Sequence, residues 1–69
     1  MEIILYSTGC IKCTQLKMLL DGFGVPYTVN DSVEDMLRLG FSKVPVLAVN
    51  GSFMDYSEAR NWIINTYKE

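Results

Sequence analysis

The tightest constraint on this chain is the junction Thr8-Gly9-Cys10-Ile11-Lys12-Cys13, which holds both of its cysteines. The apolar run Ile3-Ile4-Leu5-Tyr6 ends just before it. Leu16, Leu19, Leu20 and Phe23 follow at the spacing of one helix face. A strand thus stops at the pair and a helix starts there. Unpaired backbone N–H groups and the positive end of the helix dipole then point at the first sulfur. That position favours the thiolate, which is the reactive form of cysteine.

A Cys-x-x-Cys pair has three ordinary uses. A structural disulfide across it closes a very small loop, where the loss of chain entropy stabilises least. A structural zinc site takes four ligands, and the chain has two cysteines and no histidine. An iron–sulfur cluster or soft metal would therefore have to be shared between two chains. Dithiol–disulfide exchange needs only the two sulfurs, and a pair beside a β-α-β pattern fits it best.

At 69 residues the chain is one domain, 1–69, near the lower limit for folding without metals or several disulfides. Hydrophobic residues make up 49%, enough for a core around one small sheet. A net charge of −2 lacks the basic footprint of a nucleic-acid binder. No apolar run approaches the roughly 20 residues that cross a bilayer. The N-terminus opens into a strand pattern rather than a basic and apolar leader. A cytoplasmic monomer is expected, in a compartment that keeps thiols largely reduced.

Along the chain, Glu2–Tyr6 reads as a central strand covered on both faces. Helix one is expected from about Ile11 to Phe23, with Gly22 and Gly24 as stop signals. Val25–Val29 is the next β-rich segment, with Pro26 at its start and a right-handed parallel crossover behind it. Asp31 with Glu34, or Ser32 with Asp35, caps a short second helix whose apolar face is Val33, Met36 and Leu37, and Gly40 ends it. Strands at about Val46–Val49 and Ser52–Met54 flank Asn50-Gly51, the pair that suits a type I′ hairpin turn. Asp55 and Glu58 have capping-box spacing, and Ala59, Trp62, Ile63 and Tyr67 face inward from the last helix. The spacing also assigns Phe23 to the core, and Met18, Met36 and Met54 read as packing residues. The order is β-α-β-α-β-β-α.

This pattern resembles the minimal thioredoxin fold, an α/β domain with a four-stranded mixed sheet and three flanking helices. Four features bring it near the small glutaredoxin-like proteins, including the NrdH-type redoxins that serve ribonucleotide reductase. They are Tyr6-Ser7 leading to Cys10-Ile11-Lys12-Cys13, the Val44-Pro45 pair, Asn50-Gly51, and Asp55 at the last helix start. The resemblance implies that Cys10 is the nucleophile and Cys13 the resolving thiol. It also implies a cis bond before Pro45, and a Val44 whose backbone pairs with an extended substrate. Lys12, Lys43 and Asp55 become candidates for charged contacts, and Phe53 and Tyr56 for a docking patch. Reduction of a partner's protein disulfide follows, with no bound cofactor and with either thioredoxin reductase and NADPH or glutathione as the electron source.

Three departures bear on that resemblance. Ile11 stands where glutaredoxins usually have proline. Ser7-Thr8-Gly9 lacks the lysine that commonly precedes their motif, and Gly51-Ser52-Phe53-Met54-Asp55 lacks adjacent glycines. The balance favours a protein reductant over glutathione.

Overall fold

The computed structural model describes residues 2–67. Its elements are β1 (Ile3–Tyr6), α1 (Ile11–Gly22), β2 (Thr28–Asn30), α2 (Val33–Arg38), β3 (Val46–Val49), β4 (Ser52–Met54) and α3 (Tyr56–Tyr67). They form one four-stranded sheet in the order β2-β1-β3-β4. β1 runs parallel to β2 and antiparallel to β3, and β3 pairs antiparallel with β4. This is the expected thioredoxin-like arrangement with its mixed sheet.

The period-two alternation of β1 sorts its side chains between two apolar layers. Ile3 and Leu5 join Leu47, Leu16 and Leu20 of α1, and Ala59 and Ile63 of α3. Ile4 and Tyr6 turn to the other face, where Val46, Ala48 and Met36 of α2 are packed. The sheet therefore separates α1 and α3 from α2. Leu5, aligned with both Val29 and Leu47, is fully buried at the centre, a placement that stabilises by about 2 kcal/mol. Among the described residues, no helix is long and apolar enough to cross a membrane.

Both α1 and α2 end in the same cap. Phe23 is the C-cap of α1; the Gly24 N–H donates to Asp21 O and the Val25 N–H to Leu20 O. After α2, the Gly40 N–H donates to Leu37 O and the Phe41 N–H to Met36 O. Gly24 and Gly40 have φ of 69° and 82°, the left-handed conformation this motif requires. Each cap also closes an apolar contact, Val25 with Leu20 in one layer and Phe41 with Met36 in the other.

The first of these caps corrects the expected second strand. The N–H of Val25 is committed to Leu20 and Pro26 has none, so pairing with β1 begins only at Thr28. Pro26 thus precedes β2 rather than opening it, and the strand extends to Asn30. The helix before it stops at Gly22, one residue short of the expected end.

Several apolar side chains lie outside the core to which helical spacing assigned them. Phe23 projects from the cap and is more than a third exposed. Met18 is 68% exposed, against the expectation of packing, whereas Met36 is buried and Met54 packs half-buried on the core. Leu37 is 70% exposed and Val33 is open as well. α2 has six residues, too few turns to bury more than the single stripe that Met36 occupies.

The remaining turn and cap expectations hold. Of the two capping options for α2, Ser32 with Asp35 is used, its Oγ accepting the Asp35 N–H at 3.2 Å. Asn50 and Gly51 have φ of 51° and 86°, as a type I′ turn demands. Asn50 also pins β1, because its N–H donates to Glu2 O and its Oδ1 accepts the Glu2 N–H.

Candidate functional site

β1 delivers the chain to the motif and α1 begins within it. Cys10 is the N-cap of α1, with extended backbone (φ −71°, ψ 170°), and its carbonyl accepts the first helical hydrogen bond, from the Thr14 N–H at 2.9 Å. A cap side chain normally accepts from the exposed N–H groups of the first turn. Here the cap side chain is a sulfur, and Cys10 Sγ accepts the Cys13 N–H at 3.2 Å. That contact turns Sγ back over the helix end.

Cys13 lies one turn on, at the inward side of α1, and is 1% exposed. Both thiols are free, and their sulfurs are 2.7 Å apart, joined by a hydrogen bond. Burial pushes the Cys13 thiol up. Hydrogen bonds from the Cys10 side chain, the Ser7 hydroxyl and the backbone at Thr8 and Cys10 pull it down, and the balance falls below the ordinary thiol value of 9.0. At this separation the charge on one sulfur bears directly on the other, and the lowered value is that of Cys13. Ser7 is a contributor that motif reasoning passed over. Its hydroxyl also accepts the Gly9 N–H at 3.2 Å, which fixes the loop ahead of Cys10.

Lys12 projects outward between the two cysteines. Its Nζ lies 5.7 Å from the centre of the Tyr56 ring, within cation–π range. The Tyr56 hydroxyl donates to Gln15 Oε1 at 3.1 Å. The first residue of α3 therefore holds two side chains of α1 on either side of Cys13. Gln15 gave no sequence signal, because the contact joins distant segments.

The bond between Val44 and Pro45 is cis, as the resemblance implied. Pro45 is buried and Val44 half-buried. Both line a groove of about 330 Å³ together with Lys12, Lys43, Phe53, Asp55 and Tyr56. All the sequence candidates other than the cysteines thus converge on one surface that starts at the motif. Asp55 has a structural duty there as well. Its Oδ1 accepts the Glu58 N–H at 2.8 Å while Glu58 Oε1 accepts the Asp55 N–H at 3.2 Å, a reciprocal capping box.

Among the described residues, no three Cys, Asp or Glu side chains converge in the manner of a metal site. A metal held by Cys10 and Cys13 would draw its other ligands from elsewhere. Neither a protein-family model nor a curated protein sequence matches this chain.

Proposed function

We propose that this chain is a small dithiol–disulfide oxidoreductase of the glutaredoxin-like kind, reducing disulfides in partner proteins. The observation that carries the reading is the pair itself: two free sulfurs 2.7 Å apart at a helix start, one accessible and one sealed. Exchange requires an attacking thiolate that substrate can reach and a second thiol that only the first can reach.

The reaction follows from that asymmetry. The Cys10 thiolate attacks one sulfur of the partner's disulfide; a Cys10–partner bond forms, and the other partner sulfur leaves as a thiolate and takes up a proton. Cys13, deprotonated, then attacks Cys10 Sγ, forming the Cys10–Cys13 disulfide and releasing the second partner thiolate, which is protonated in turn. The partner gains two electrons and two protons, and the cysteine pair loses them. An external dithiol, or two molecules of glutathione, restores the reduced pair.

The absence of a lysine before Cys10 and of paired glycines before Asp55 supports thioredoxin reductase with NADPH as the electron source. Through the resemblance to NrdH-type redoxins, ribonucleotide reductase is the client to try first. The test is NADPH consumption with a protein disulfide as acceptor, in two reactions. One contains thioredoxin reductase, the other glutathione and glutathione reductase. Turnover in the first alone is expected. Turnover in the second alone reassigns the reductant, and turnover in neither contradicts the reading.

A further inference from the structure

The groove that starts at Lys12 has a charge balance opposite to that of the whole chain. The protein carries −2, yet the groove holds Lys12 and Lys43, both exposed, against the single carboxylate of Asp55. That carboxylate is partly spent on its own helix, since Oδ1 accepts the Glu58 N–H. Lys12, although exposed, has its Nζ 5.7 Å from the centre of the Tyr56 ring, a contact that orients its charge toward the groove.

The other component is aromatic. Phe53 of β4 is 50% exposed and packs edge-to-face on Phe41 at 5.0 Å, which packs in turn on Tyr6 at 5.1 Å. Phe53 is thus an open ring on a firm base, able to take an apolar side chain. β4 is also an edge strand, so the groove is bordered by backbone that has no second strand beside it.

We propose that this groove selects partner proteins by docking an acidic segment next to their disulfide, with carboxylates at Lys12 and Lys43 and a large apolar side chain on Phe53. The proposal rests on the oxidoreductase reading and adds the chemistry by which a client is chosen. Tyr56 is a positioning residue in it, because it acts through Lys12.

The test uses three peptides of equal length, each with one internal disulfide and one phenylalanine, flanked by Glu, Gln or Lys. With the full chain at low ionic strength, KM for the Glu peptide is expected about tenfold below that for the Lys peptide, with kcat alike; this is what two exposed ion pairs supply. The difference should collapse near about 1 M salt, where screening is nearly complete. Lys12→Gln with Lys43→Gln should level the three peptides, and Lys43→Arg should not. Equal KM for the three peptides, or a lower KM for the Lys peptide, overturns the docking proposal and leaves the redox reading intact. Fluorescence anisotropy with cysteine-free peptides supplies a readout without chemistry. The same order of affinities there upholds docking even if no exchange occurs. Displacement of the Glu peptide by an equal concentration of glutathione would assign the groove to a small thiol and overturn the proposal.

Discussion

Cys10 and Cys13 place their sulfurs 2.7 Å apart and present them unequally, Cys13 sealed beneath the start of α1 and Cys10 half-open at its cap. One turn of helix produces both facts. The i to i+3 spacing brings the side chains together, and the second falls on the buried side of α1, the side that also carries Leu16 and Leu20.

The Cys13 thiol should lose its proton below the ordinary thiol value of 9.0, seen as thiolate absorbance in a pH titration of the reduced protein. Ser7→Ala removes one of the contributing hydrogen bonds and should move that titration upward. The folded protein releases this proton more readily than the unfolded chain. Its stabilising contribution is therefore present above the unfolded thiol value and is lost as pH falls through the lower folded value. An unchanged titration in Ser7→Ala would remove Ser7 from the site.

Tyr27 should mark the alkaline end of the stability curve. Burial first, and the Asp21 carboxylate 2.8 Å from its hydroxyl second, push its ionisation up to about 12. The folded state keeps a proton that the unfolded chain loses near 10.0, so this contribution is intact below that pH and disappears as pH rises to about 12. Tyr27→Phe should flatten the fall in stability across that window. At neutral pH it should cost no more than about 1 kcal/mol. Urea unfolding over a pH series reads both.

Gly24→Ala and Gly40→Ala should each cost about 1–2 kcal/mol, the penalty for left-handed backbone in a residue with a Cβ. Nothing lies within 4 Å of the added methyl at either position, so no steric cost is added. The two caps close on opposite faces of the sheet, and the losses should sum in the double variant. Chemical denaturation provides the measurement. A loss near zero at either site would mean that the cap yields.

Asp55 separates two roles by substitution. Asp55→Asn keeps a good cap and should change stability little, whereas Asp55→Ala should cost about 1 kcal/mol. Thermal unfolding of the two variants side by side decides it. Equal losses would show that the charge of Asp55, rather than its capping oxygen, is what the fold uses.

The fold was largely readable from punctuation. Gly24, Gly40, Asn50-Gly51, Ser32 and Asp55 each carry a local conformational requirement, and the structure uses every one. Errors fell where local pattern and tertiary commitment compete. Val25-Pro26 has strand-like residues, but the Val25 N–H closes a helix cap. Phe23, Val33 and Leu37 are apolar at helical spacing and still face solvent, because spacing defines a face without saying whether anything covers it, and Met18, read as a gap-filling packing residue, is exposed as well. The cysteine pair was legible because its residues are local. The support of Lys12 by Tyr56, and the meeting of Lys43 and Phe53 in one groove, depend on contacts between distant segments that no short window contains.

The most direct test of the central claim is mass spectrometry of each single cysteine variant, reduced and then mixed with a partner disulfide. Cys13→Ser should accumulate a covalent adduct on Cys10, since the attack that releases it is gone. Cys10→Ser should form none, because the remaining sulfur is buried. An adduct on Cys13 in the Cys10→Ser protein, at the rate of the other variant, would contradict the assignment of roles and the asymmetry it rests on.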